Sequence, residues 1–80
     1  MTTAERQRQA SADNLLRGAR QGVERLQAAL KTANKTVGDK HAPGWVRESA
    51  ARRASEIEEV ELPRARSYLR ECRERAGESL

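Results

Sequence analysis

Seven apolar residues in the first half of the chain follow one another at alternating intervals of three and four positions. They are Leu16, Ala19, Val23, Leu26, Leu30, Ala33 and Val37, referred to below as the seam. This spacing places the seven side chains along one side of a slightly underwound helix, like the a and d positions of a coiled coil. An apolar side of this kind has to be covered. The pattern therefore predicts a long first helix, over about residues 3–37, that packs lengthwise against other helices.

Both ends of this helix carry recognisable signals. Thr2 and Glu5 are spaced as in a capping box, where each side chain bonds the backbone N–H group of the other residue. Gly38 follows the seam and is predicted to end the helix in the left-handed conformation. Residues 38–43 contain the breakers of a short loop, and Pro43 suits the first turn of a second helix.

A second helix is predicted over about residues 43–77. Its apolar stripe includes Ile57 and Val60, which we expect, like the seam, at a contact between helices or at a dimer interface. The stripe changes phase near Pro63, where a proline inside a helix removes one hydrogen bond and collides with the preceding turn. We therefore expect a kink at this proline. Two long arms around one short loop predict an all-α antiparallel helical hairpin that forms a single domain over residues 1–80.

Alanine, the smallest of the apolar residues, is the commonest one in this chain. Thirteen residues are Ala, against seven Leu, four Val and one Ile. Alanine removes little area from water, at roughly 25 cal/mol per Å², and a chain of 80 residues is near the lower limit for a self-sufficient core. We therefore expect two hairpins to pair into a four-helix homodimer. Gly22 shares a row beside the seam with Leu15, Ala29 and Thr36, and there we expect a neighbouring backbone to approach closely.

The chain offers little material for catalysis. His41 is its only His and Cys72 its only Cys, which excludes an intramolecular disulfide and leaves a four-ligand zinc site incomplete. Neither residue belongs to a recognisable catalytic dyad, and Cys72 is expected to be a small buried residue on the apolar stripe. We expect no enzymatic activity, no cofactor and no metal. Because the sequence shows no export signal and no apolar run long enough for a membrane span, we expect a cytoplasmic protein without membrane contact.

Binding of another protein is the function that the pattern favours, with a role as inhibitor, regulator or adaptor. Trp45 and Tyr68 are candidate anchors, because aromatic residues concentrate binding energy at interfaces, and Leu69 is a third. For Trp45 we prefer a structural role, as a cover over Val37 and Val46 at the closed end of the hairpin. Tyr68 is expected to cover the core near the proline with its hydroxyl in water.

Binding of RNA or DNA by a hairpin dimer is the alternative function. Arg66, Arg70 and Arg73 share one helix face, and Arg17 and Arg20 form a second basic cluster that suits phosphate groups. Acidic residues interrupt the basic runs, so we prefer a solvated surface for these side chains. Thirteen of the sixteen basic residues are Arg, which together with the Ala content is typical of a GC-rich genome. This composition favours a bacterial or phage accessory protein.

Overall fold

The computed structural model describes residues 2–78, which form two helical arms joined by one loop. The first arm is helix α1, Thr3–Val37. The second arm consists of helix α2, Gly44–Glu56, a π-helical turn over Ile57–Glu61, and helix α3, Leu62–Glu78. The prediction of an all-helical chain with two long arms is confirmed for the described residues.

The hairpin is long and only one helix thick. Its principal extents are 60 × 17 × 13 Å, and its radius of gyration is 17.8 Å, whereas a compact chain of this length would have about 12 Å. A single helix with its side chains measures about 10–12 Å across. The two arms therefore lie side by side in one layer, and both broad faces of this layer are open to solvent.

The seam of α1 lies against the second arm, and the core runs between the two arms. Ala19, Val23 and Ala33 are buried, and the other four seam residues are half-buried. Val23 packs with Ile57 and Leu62 in the central cluster. The half-buried residues around this cluster are Leu26, Ala29, Leu30, Ala65 and Leu69. The core is narrow because every inward side chain has neighbours from one other helix only.

The start of α1 has the predicted capping box. The Glu5 N–H group donates to the Thr2 hydroxyl oxygen at 3.2 Å, and the Thr2 N–H group donates to the Glu5 carboxylate at 3.2 Å. These two bonds satisfy donors that the first turn of a helix otherwise leaves without partners. The capping box is therefore confirmed.

The left-handed conformation predicted for Gly38 is wrong. Its φ is −82° and its ψ is −5°, so the chain leaves α1 through a right-handed turn. The Gly38 N–H group donates to the Asn34 carbonyl at 3.1 Å, and the Asp39 N–H group donates to the Thr36 carbonyl at 3.1 Å. The second of these bonds spans three residues and tightens the last turn, which satisfies a terminal carbonyl without a left-handed residue.

The second arm changes phase in the π-helical turn. The Leu62 N–H group donates to the Ile57 carbonyl, five residues earlier instead of the usual four. The wider turn suits Pro63, which has no N–H group to donate and whose ring would crowd the carbonyl of Glu59 in a regular α-helix. The phase change that the sequence places near this proline therefore occurs one turn before it, while a bend of the arm stays a prediction.

Candidate functional site

Among residues 2–78, the most exposed large apolar side chain is that of Trp45, of which 73% is accessible to solvent. The prediction that it covers Val37 and Val46 is therefore wrong. The reason is its position on α2, which begins at Gly44. Val46 is the half-buried residue of this first turn, and the preceding side chain points about 100° away from it around the helix. The ring of Trp45 is left available for another molecule.

An apolar groove of about 410 Å³ lies at the open end of the hairpin. Its walls come from both arms: Ala4, Gln7, Arg8, Ser11, Ala12 and Leu15 from α1, and Cys72 and Arg75 from α3. The concavity exists because Ala4, Ser11 and Ala12 are small. Arg8 and Arg75 contribute the charged groups of its described lining. Ligand sites are typically concavities of about 300–1,000 Å³ with mostly apolar walls, and this groove has both properties.

Tyr68 lies beside the groove, and its hydroxyl interacts with Cys72 on one wall. Hydrogen bonding to the Cys72 sulfur is the largest cause that raises the pKa of the Tyr68 hydroxyl above its ordinary value, followed by the negative charge of the Cys72 thiolate. Cys72 itself is buried, as predicted. The hydroxyl of Tyr68 therefore faces a side chain and not only water, while 45% of the residue remains exposed.

Ion pairs connect the exposed side of α2 to the exposed side of the turn that follows it. The Arg53 guanidinium lies 3.6 Å from the Glu56 carboxylate and also bonds the Glu61 carboxylate. Trp45 precedes Glu56 by eleven residues, or about three turns of α-helix, so the two side chains point the same way. Tyr68 follows Glu61 by seven residues, or about two turns, so these two side chains also point the same way. The two aromatic residues therefore lie on the same side of the second arm.

Gly22 lies at the edge of the contact between the arms. It shares a seven-residue spacing with Leu15 and Ala29, and a Cβ atom added to it would meet no atom within 4 Å. The second arm does not approach Gly22 closely, because the contact with that arm is made by the next residue, Val23. The space beside the glycine is open, and the approach of another backbone there stays a prediction.

These features share one broad face of the hairpin, which we name the interaction face. Leu15 connects the row of Gly22 to the groove, and Cys72 connects the groove to Tyr68. Tyr68 in turn shares a side of the second arm with Trp45. The interaction face thus consists of Leu15, Gly22, Trp45, Tyr68 and the groove. One signal in the sequence could have indicated this side of α1. Ala4, Arg8, Ser11 and Leu15 precede the seam at intervals of four, three and four residues, which places them together on one side of the helix.

Other residues predicted for an interface differ in their exposure. Val60 is 42% exposed and does not pack between the two arms, because the π-helical turn directs Ile57 and Leu62 inward; its place in a dimer interface stays a prediction. Leu69 packs on the central cluster, so it contributes to the core instead of a free surface. The five predicted basic residues are all exposed and form no ion pair within the described chain. They are Arg17, Arg20, Arg66, Arg70 and Arg73.

The described residues contain no group of three or more His, Cys, Asp or Glu side chains that could hold a metal ion. The backbone N–H group of His41 donates to the Asp39 carboxylate at 2.9 Å in the loop, where His41 is exposed. Within residues 2–78, no helix combines the length and the apolar character needed to cross a bilayer. Comparisons with protein-family models, with curated proteins and with solved structures find no match to this chain.

Proposed function

We propose that the protein is a non-enzymatic protein-binding module that acts as a homodimer and inhibits, regulates or adapts a partner protein. The observation that carries this proposal is the exposure of large apolar side chains on a hairpin one helix thick. The large apolar residues that are more than 40% exposed are Leu15, Trp45, Val60 and Tyr68. Exposed apolar side chains gathered on one side of a soluble protein mark an interaction site.

The accessible surface of the chain supports the homodimer. The surface measures 6268 Å², whereas a compact monomer of 9.0 kDa exposes about 4,800 Å². The excess, about 1,400 Å², is larger than the roughly 800 Å² that each partner buries in a standard interface. A second hairpin would cover this excess and produce four helices around one core.

The chemistry of the groove supports binding over catalysis. Its polar side chains are Gln7, Arg8, Ser11 and Arg75, with the buried thiol of Cys72 on one wall. A nucleophile needs a base within hydrogen-bond distance, and none of these side chains is a general base at neutral pH. The groove is suited to hold an apolar side chain against its mostly apolar walls.

Binding of RNA or DNA remains the second candidate, and one observation favours it. The five exposed arginines named above have no acidic partner within the described chain, so their charges are available to phosphate groups. Binding through phosphates weakens steeply as salt rises, because condensed counterions are released. An electrophoretic shift of RNA or DNA at 0.15 M salt that is lost on replacing Arg66, Arg70 and Arg73 by Gln would favour this function over ours.

Two measurements test the proposed function. Sedimentation equilibrium is expected to show a dimer at micromolar concentration. Affinity capture from a nuclease-treated bacterial lysate is expected to retain one defined protein, and the Trp45→Ala/Tyr68→Ala variant is expected to lose it. Gln27→Ala is the control: Gln27 is exposed and follows the seam residue Leu26, whereas Gly22 precedes the seam residue Val23, so Gln27 lies on the opposite broad face. Equal capture by both variants would contradict the assignment of this face.

A further inference from the structure

We propose that a second copy of this chain covers the interaction face in antiparallel orientation, so that Trp45 of each copy fills the groove of the other. This inference rests on the proposed homodimer and specifies its geometry. Most soluble homodimers have twofold symmetry, which requires one surface patch to be complementary to itself. The interaction face meets this requirement, since it carries an exposed aromatic side chain at one end and an apolar groove at the other.

The positions of Trp45 and of the groove along the hairpin fit a twofold axis at the middle of the hairpin. Trp45 and the groove wall at Cys72 are 27 residues apart in the second arm, or about 40 Å at 1.5 Å per residue. Their midpoint lies in the π-helical turn, at the level of Ile57. Rotation by 180° about an axis that lies in the plane of the face at this level, at right angles to the two arms, exchanges the two ends and turns the face of the second copy toward the first. It therefore places each Trp45 over the groove of the other copy.

The same axis passes close to Gly22 on α1. Val23 and Ile57 pack together, so the middle of the second arm is level with the residue next to this glycine. A twofold axis brings equivalent residues of the two copies together, and here the absence of a side chain lets the two α1 backbones approach. The open space beside Gly22, which the second arm leaves unfilled, is thereby explained.

The groove has the chemistry that an indole requires. Its walls are mostly apolar and its volume is about 410 Å³, which accommodates one aromatic side chain. Arg8 lies at its rim, and guanidinium groups stack favourably on tryptophan rings. The hairpin that carries the interaction face extends over 60 × 17 Å along its two longer axes, so its broad face has room for the roughly 800 Å² per partner of a standard interface.

The first test uses Trp45 as its own reporter, since it is the only tryptophan in the chain. Its fluorescence is recorded during dilution, alongside sedimentation of the same samples. In the dimer we expect blue-shifted emission and protection from acrylamide, both lost as the dimer dissociates. A dimer whose tryptophan emits as in water would overturn the inference and leave the proposed dimer intact. A monomer at all accessible concentrations would overturn both.

The second test compares two positions on opposite sides of α1. Gly22→Leu is expected to raise the dimer dissociation constant at least tenfold, because the new side chain separates the two α1 backbones at the axis. Gln27→Leu is the control: Gln27 is exposed and follows the seam residue Leu26, whereas Gly22 precedes the seam residue Val23, so Gln27 lies on the opposite broad face. Circular dichroism checks that both variants stay helical. Equal dissociation constants for the two variants would contradict the axis position.

The third test fixes the orientation of the copies. A nitroxide is attached to a cysteine introduced by Gln7→Cys in a Cys72→Ala background. Within one copy, Gln7 and Trp45 lie at opposite ends of the hairpin, about 45 Å apart along α1. The nitroxide is expected to quench Trp45 in the dimer and not after dilution to monomers. A dimer without quenching would show a different arrangement.

Discussion

The Leu62 N–H group donates to the carbonyl of Ile57 across one π-helical turn, and these two residues are among the most deeply buried of the described chain. Ile57 has no exposed surface and Leu62 has 3%. In a regular α-helix, side chains five residues apart point about 140° away from each other. The wider turn directs both toward Val23 on the opposite arm. Core packing and the missing N–H group of Pro63 thus favour the same local distortion.

Ile57 is therefore expected to be the most sensitive core position. Ile57→Ala removes a fully buried side chain from a core with neighbours on one side only, and we expect a loss of about 2–5 kcal/mol in the free energy of unfolding. Val60→Ala, three residues later and exposed, should change it by less than about 0.5 kcal/mol. Urea denaturation followed by circular dichroism measures both. Similar losses for the two variants would contradict the inward direction of Ile57.

A charge on the seam is expected to unfold the protein. Leu26 packs against the central cluster, so Leu26→Asp places a carboxylate among apolar side chains that offer it no partner. We expect loss of most of the helical circular dichroism signal at 25 °C. Gln27→Asp, at the neighbouring exposed position, should keep the wild-type signal. A folded Leu26→Asp protein with unchanged melting would contradict the seam assignment.

The capping box is expected to have a local effect. Thr2→Ala removes the hydroxyl that accepts from the Glu5 N–H group, and the loss of such a cap costs about 1 kcal/mol. Residues 2–8 are exposed, so this cost should appear as faster hydrogen exchange of the first-turn amides, with little change in global melting. Thr3→Ala removes a hydroxyl from the adjacent residue and serves as control. Equal exchange in the two variants would argue against the cap.

The ionisation of Tyr68 is expected to depend on Cys72. Cys72 raises the pKa of the Tyr68 hydroxyl through a hydrogen bond and through the negative charge of its thiolate. Cys72→Ala should therefore lower this pKa toward its ordinary value. Absorbance titration of the single tyrosine at alkaline pH measures the difference, with Ser67→Ala as control. An unchanged pKa in Cys72→Ala would show that the hydroxyl does not bond this thiol.

The raised pKa of Tyr68 also has a consequence for stability. The folded chain holds the phenolic proton to higher pH than the unfolded chain does. The stabilisation is therefore complete below the unfolded pKa, and it is lost as pH rises through the folded pKa. Alkaline melting curves are expected to show a smaller decline in stability for Cys72→Ala than for the wild type.

The first arm is the part of the fold that the sequence predicts best. The alternating spacing of its seam fits only one regular structure, an α-helix. The pairing of Thr2 with Glu5 locates the start of this helix. Periodicity is informative here because each inward position recurs without interruption over six intervals. The second arm is less predictable, because the five-residue spacing of Ile57 and Leu62 resembles random drift. Only the backbone hydrogen bonds reveal it as a π-helical turn.

The candidate site is harder to predict, since it depends on what the hairpin leaves uncovered. Trp45 and Val46 are adjacent apolar residues, and which of them turns inward depends on where α2 begins. Gly22 suggests a close approach, but the pattern does not say whether the neighbour is the other arm or another molecule. Periodicity defines the apolar side of one helix. The exposure of a residue depends also on how the two packed arms are rotated about their long axes.

The antiparallel path of a hairpin one helix thick determines how it would respond to mechanical force. Ala4 and Arg75 line the same groove, so both ends of the described chain emerge together, away from the loop. Tension applied between these ends separates the two arms progressively, one layer of side chains after another. The force therefore acts on a few contacts at a time and not on the whole core. A protein built this way should yield at low force and in steps, with Ile57 and Leu62 as the main point of resistance.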